Sequence, residues 1–348
     1  MGSSGNKVLE VKNLSVRFDT HQGTVRAVDD VSFHLDEGET LGLVGESGSG
    51  KSVTNLALLG LIPNPPGVID SGQVLFENTD LLKLPIDKMR QIRGNRISMI
   101  FQDPMTSLNP LLTIEQQLAE VLEIHRGMSK REARPHCAKG LDEVGIPSPE
   151  KALDSYPHEL SGGMRQRVMI AMALLCEPKV LLADEPTTAL DVTIQAQILE
   201  LMSKLQKDHG TAIMLVTHDM GVVAGQADRV NVMYAGRLAE TASTTDLFDR
   251  PMHPYSKGLL ESVPRLFGDA GDDLFSVPGQ PPDLADLPSG CAFQPRCSFV
   301  VDSCAKARPN LTPQADAAAK TDRLVACTEA ERVLAADLAA KNSAGGAS

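Results

Sequence analysis

The chain has 348 residues, which at roughly 150 residues per domain points to about two domains. Its 42% hydrophobic and 22% charged residues exclude a disordered, collagenous or coiled-coil protein. A balance of 33 basic against 45 acidic residues (net −12), with 3% aromatics and no Trp, disfavours both a phosphate-backbone surface and a base-stacking platform, so no nucleic-acid partner is expected.

The opening MGSSGNK carries no apolar segment and reads as a flexible start rather than a secretory signal. β-branched and apolar residues predict strands over 8–18, 25–35 and 39–44. Glycines break the pattern over 45–50, and helical spacing of Val53, Leu56, Ala57 and Gly60 follows. Residues 111–160 are more polar and helical, with Ile114, Leu118, Val121 and Leu122 on one face. A helix over 165–175, a buried-type strand over 179–183, a helix over 192–206 and strands over 211–217 and 230–234 complete the alternation. Strands alternating with helices imply an α/β fold with a mostly parallel sheet. After about residue 245 the texture changes: 277–288 is Pro-rich, a cysteine cluster follows, and the Ala/Gly/Ser-rich end over 335–348 is expected to fray. The longest apolar run, 168–176, is about half of what a bilayer crossing needs, so a cytoplasmic protein is expected, with any membrane role supplied by a partner.

The strand–glycine loop–helix context carries a phosphate site. Gly45, Glu46, Ser47, Gly48, Ser49, Gly50, Lys51 and Ser52 match G-x-x-x-x-G-K-[ST], with Val53 next in the first helical turn. Glycines let backbone amides turn toward phosphate oxygens, Lys51 supplies a point charge, and Ser52 offers a hydroxyl to Mg²⁺. Such a loop needs an apolar strand ending in a carboxylate, and residues 180–185 supply one. Asp184 is placed to hold Mg²⁺, and Glu185 to polarise an attacking water.

Between these motifs, Leu160-Ser-Gly-Gly-Met-Arg-Gln-Arg167 resembles the signature motif of ATP-binding cassette (ABC) proteins. Gln102 in Phe-Gln-Asp-Pro matches that family's Q-loop, Ala189-Leu-Asp191 its D-loop, and His218 in Val-Thr-His-Asp its H-loop. The resemblance implies a P-loop NTPase fold over 7–245, with an antiparallel β subdomain and a helical insertion at about 103–165, followed by a C-terminal appendage over 246–348. It implies ATP and Mg²⁺ as ligands. Gln102 would contact Mg²⁺ and the attacking water, His218 the γ-phosphate, and Phe18 would stack on adenine. Ser161, Gly162 and Gly163, with Asp191, would cover ATP held by an opposite cassette.

Finer stretches resemble the peptide/nickel group of ABC importers: Tyr156-Pro-His-Glu-Leu-Ser-Gly-Gly-Met, Phe101-Gln-Asp-Pro-Met-Thr-Ser-Leu-Asn-Pro and His253-Pro-Tyr-Ser-Lys-Gly-Leu-Leu. That group implies an ATPase powering import of di- or oligopeptides from the cytoplasmic face of the inner membrane. Its partners would be a second ATPase, favoured as a paralogue, two permeases and an extracytoplasmic solute-binding protein. An exporter or lipoprotein-release ATPase, or a soluble ABC ATPase acting on nucleic acid, is the alternative.

Cys291, Cys297, Cys304 and Cys327 are spaced C-x5-C-x6-C-x22-C. Four thiolates suit Zn²⁺ or an iron–sulfur cluster, and zinc sites usually contain the close pair that is missing here. The Gly-Gln-Pro-Pro-Asp-Leu stretch before Cys291 resembles the C-terminal domain of peptide importers, some of which carry a 4Fe–4S cluster on such cysteines. The cysteines' separation in sequence from every nucleotide motif predicts a structural or redox role apart from hydrolysis. Cys137 and Cys176 stand alone and are expected to pack as small apolar side chains.

Overall fold

The computed structural model describes residues 6–21, 23–103, 107–187, 191–263, 276–314 and 323–345. Two sheets organise the first 243 residues. Strands β1 (Lys7–Thr20), β2 (Gly23–Asp36), β4 (Gly67–Phe76) and β5 (Thr79–Asp80) form an antiparallel sheet in the order β2-β1-β4-β5. The second sheet has a parallel centre of β9 (Arg229–Tyr234), β3 (Thr40–Val44), β8 (Ala212–Thr217), β7 (Val180–Asp184) and β6 (Ile97–Ile100), in that spatial order. Every residue of β3, β6, β7 and β8 is buried, as expected for strands covered on both faces. One apolar core joins the two sheets through Leu41, Leu43, Leu182 and Met214 from the parallel strands and Leu14, Val16 and Val74 from the antiparallel ones.

A helical layer of Ile114–Arg126, Lys130–Glu143 and Pro149–Asp154 packs over the other face with the helix Gly162–Leu174. Its ends are written locally. Thr113 with Gln116, and Ser129 with Glu132, form reciprocal capping boxes. Cys137 and Cys176 are buried in this core, and burial pushes the Cys137 thiol up to about 11.

The C-terminal segment extends the second sheet. β10 (Arg237–Ser243) runs antiparallel to β9, and the two-residue strands β12 (Leu324–Val325) and β11 (Thr312–Pro313) follow at its edge. A long helix, Ala330–Gly345, covers most of the stretch where fraying is expected. Alanine has the highest helix propensity, and its repetition here favours a helix over an open tail. Among the described residues, no helix is long and apolar enough to cross a membrane.

Candidate functional site

The phosphate loop joins the end of β3 to the helix Lys51–Leu58. Gly45 has φ 153°, and a Cβ there would lie 2.2 Å from the Met233 carbonyl oxygen. Gly50 has φ 105°, with its would-be Cβ 2.3 Å from the Ala27 carbonyl oxygen. Neither position admits a side chain without backbone movement. Ser47 and Gly48 form the exposed tip, whereas Ser49 is buried and its carbonyl accepts from the Gly236 amide at 3.0 Å. Lys51 is buried, and its ammonium donates to the carbonyl oxygens of Gly45 (2.7 Å) and Glu46 (2.9 Å). Burial pulls the Lys51 pKa down, while the charges of Glu185, Asp184 and Glu46 pull it up.

β7 ends at Asp184, whose Oδ1 accepts from the Ser52 hydroxyl at 3.0 Å. Burial holds the Asp184 carboxyl above its ordinary value, and the neighbouring Glu185 charge adds to this. A buried carboxylate beside a hydroxyl and side-chain oxygens is hard-donor chemistry of the kind Mg²⁺ takes, so these residues fit that ion. Glu185 turns the chain out of the strand with φ 47°, and its amide donates to the Val216 carbonyl at 2.9 Å. Its carboxylate accepts from Gln102 Nε2 at 3.1 Å and faces His218 Nδ1 at 3.3 Å. Residues read from four separate stretches of sequence thus meet on one pair of carboxylates.

Ser161 caps the helix Gly162–Leu174 by accepting from the Met164 amide at 3.3 Å, with Gly162 exposed and Gly163 partly buried. Gln166, on the same helix, donates to the Pro186 carbonyl at 2.5 Å, tying the helix to the stretch after Glu185. Among the described residues, no hydrogen bond or ion pair joins residues 161–163 to this chain's own phosphate loop. Asp191 caps the helix Val192–His209 through the Ile194 amide at 2.9 Å; Ala189 and Leu190 lie outside the described residues. Phe18 is partly buried near the end of β1 and packs against Gly67.

Residues 28–188 match the family model described as ABC transporter, and residues 239–304 match the oligopeptide/dipeptide transporter C-terminal region. The chain is 54% identical over 307 residues to the oligopeptide transport ATP-binding protein OppD of Haemophilus influenzae, covering 88% of this chain and 94% of that one. This chain belongs to the peptide-transporter group of ABC ATPases. It is also 54% identical over 310 residues to the dipeptide transport ATP-binding protein DppD of Bacillus subtilis (89% and 92% of the two chains). Among solved structures, the dimeric post-hydrolysis state of the ATP-binding cassette MJ0796 bound to ADP and Pi superposes with a TM-score of 0.62 at 30% identity, covering 68% of this chain and 98% of that one.

The C-terminal segment of this ABC ATPase bears on two expectations. The four clustered cysteines do converge: all line one cavity of about 20 Å³ beside His253 and Phe293. Yet among the described residues no group of three or more His, Cys, Asp or Glu stands so as to hold a metal ion, so the expected 4Fe–4S or zinc centre is not preformed. Burial also favours the neutral thiols here: it pushes Cys291 and Cys297 up, and Cys327 up to about 12. The donor chemistry nevertheless fits a thiolate-bound group, because Cys297 Sγ accepts from the Phe299 amide and Cys327 Sγ from the Glu329 amide, each at 3.4 Å.

The second expectation, separation, is corrected. Arg296, between Cys291 and Cys297, reaches the phosphate loop and pairs with both carboxylate oxygens of Glu46, at 2.6 and 2.9 Å. The Tyr255 hydroxyl accepts from the Glu46 amide at 2.7 Å. The segment is far from the nucleotide motifs in sequence only. Reading the sequence also missed Glu240 and Arg323, a fully buried ion pair that fastens β12 to β10. An arginine between two clustered cysteines and the Tyr255 of the His-Pro-Tyr stretch were visible, but nothing local names their partner.

Proposed function

We propose that this chain binds and hydrolyses ATP to power import of di- or oligopeptides, working on the cytoplasmic face of the inner membrane as a peripheral subunit. The observation that carries the reading is the Glu185 carboxylate, held between Gln102 and His218 next to the Ser52–Asp184 pair. The peptide assignment draws on the relatives' transport of oligopeptides and dipeptides and on the matched C-terminal region.

Backbone amides of residues 45–53 other than that of Glu46, which Tyr255 holds, would cradle the phosphates, and Lys51 would exchange its two carbonyl partners for phosphate oxygens. Ser52, Asp184 and Gln102 would hold Mg²⁺, which neutralises charge on the phosphate oxygens when bound. Glu185 orients the attacking water and takes its proton. His218 contacts the γ-phosphate, and Phe18 stacks on the adenine. The exposed, positively poled start of the helix Gly162–Leu174, with Ser161, Gly162, Gly163 and Asp191, covers ATP bound to a second cassette. One copy therefore holds half of each composite site. A paralogous ATPase, two permeases and an extracytoplasmic solute-binding protein complete the machine, and ATP-driven closure of the cassettes moves the permeases.

Gel filtration with the partner ATPase tests this. Glu185→Gln with MgATP is expected to trap a closed pair of cassettes that releases no phosphate; normal phosphate release by that variant would remove Glu185 from its role.

The four C-terminal thiols are the ligand set we assign to an iron–sulfur cluster rather than zinc. Their convergence on one cavity and the amide–sulfur bonds support that assignment, and the absence of a close cysteine pair speaks against zinc. Loading requires the cavity to open and the thiols to ionise. Iron, sulfide and zinc analysis of anaerobically purified protein decides it: iron with sulfide supports the assignment, and stoichiometric zinc or no metal overturns it.

A further inference from the structure

Three parts of the C-terminal segment converge on one turn of the phosphate loop. Arg296 grips the Glu46 carboxylate with both terminal guanidinium nitrogens. The Tyr255 hydroxyl holds the Glu46 amide. Pro281, Pro282 and Leu284 line a small cavity against Ser47, Gly48 and Ser49. The Arg296 side chain is 5% exposed and is itself fixed. Its Nε donates to the Pro278 carbonyl at 2.7 Å, and its guanidinium lies 5.9 Å from the ring centres of both Tyr234 and Phe293. A planar fork held in this way sets the carboxylate in one orientation, which a lysine could not do.

Glu46 is also the negative charge nearest in sequence to the residues that take the phosphates, and its own carbonyl accepts from Lys51. A carboxylate free to turn here would oppose a triphosphate through like-charge repulsion, and it would compete for the lysine. We propose that Arg296 is a positioning residue for ATP binding: it neutralises Glu46 and holds it turned away from the phosphates, so that the packing of the cysteine segment sets the affinity of the phosphate loop. The proposal rests on the ATPase reading of the site. It also gives the appended segment a task that the cassette alone does not need.

The coupling separates this role from a merely structural one. ATP binding is measured on the full chain with a fluorescent ATP analogue and Mg²⁺, in a Glu185→Gln background that prevents turnover. Arg296→Met is expected to weaken binding about tenfold, through like-charge repulsion between the released Glu46 carboxylate and the phosphates. Adding Glu46→Gln to Arg296→Met removes the unpaired carboxylate, and is expected to recover most of that loss. With Glu185 restored and the partner ATPase present, the loss falls on KM for ATP while kcat at saturating ATP is kept, because Glu185, Gln102 and His218 are untouched. Should Arg296→Met fail to fold, Arg296→Lys keeps the charge without the fork and is expected to show a smaller loss of the same kind. An Arg296 variant that lowers the unfolding temperature with ATP affinity unchanged would overturn the proposal, as would a double variant no better than Arg296→Met. A wild-type chain that binds no ATP would overturn the ATPase reading itself, and this proposal with it.

Discussion

The cassette and the C-terminal segment are built on very different amounts of regular sheet. In the cassette, β3, β7 and β8 are buried along their whole length; the phosphate loop with Lys51 follows β3, Asp184 and Glu185 stand at the end of β7, and His218 follows β8. The segment after β10 contributes two strands of two residues each. Besides apolar packing through Tyr255, Phe293 and Val325, it is fastened by charged groups: Arg323 to Glu240, Arg296 to Glu46, and Arg308 to Asp29. Apolar burial is non-directional and tolerates local change, whereas a buried ion pair is costly to break because the surviving partner stays desolvated. The catalytic groups therefore sit on a sheet buried throughout, and the appended segment adds to its apolar packing one fully buried ion pair, Arg323–Glu240.

Changes in the two regions should accordingly differ in kind. The largest expected effect is catalytic: Glu185→Gln lowers phosphate release by roughly 10²–10⁴-fold while MgATP still binds and the fold keeps its stability. Phosphate assays beside urea unfolding check both halves. In the C-terminal segment the largest effect is on stability. Arg323→Leu leaves Glu240 buried and unpaired, at a cost of about 3–5 kcal/mol, and Arg323→Leu with Glu240→Leu recovers part of it. Urea unfolding of single and double variants reads this out. If the single variant were neutral, the segment would not depend on that pair.

The buried His253 adds a pH dependence of similar size. Its Nδ1 accepts from the Tyr255 amide at 3.1 Å, and burial pulls its pKa from 6.5 down to about 4. The unfolded chain takes up the proton first as pH falls. The stability owed to neutral His253 is thus complete above pH 6.5 and is lost toward pH 4, amounting to about 3 kcal/mol. His253→Asn keeps a cap acceptor for the helix Pro254–Glu261 and should flatten unfolding free energy across that window. The smallest effect returns to the cassette: Phe18→Ala should weaken ATP binding by about 1–3 kcal/mol in a nucleotide titration, with no loss for the phosphate groups alone.

The same contrast governs what could be read without coordinates. The phosphate loop is legible because its constraint is local: Gly45 and Gly50 are required by their own backbone angles and by carbonyls pressed against them. The apolar runs of β3 and β7 and the carboxylates at the end of β7 are equally local. The helix Ala330–Gly345 was misjudged because small residues that favour a flexible tail by composition also favour a helix by propensity. Arg296 was illegible for another reason. Its partner Glu46 lies 250 positions away, and a salt bridge leaves no periodicity. Four cysteines in one segment indicate a common cavity, but not whether their thiols already point at a metal.

Uptake of a labelled oligopeptide tests the central claim most directly, in cells lacking this chain and complemented with either wild type or Glu185→Gln at matched levels. ATP-driven peptide import predicts that wild type restores uptake and that Glu185→Gln does not. Equal uptake with and without the chain, or full uptake with Glu185→Gln, would contradict it.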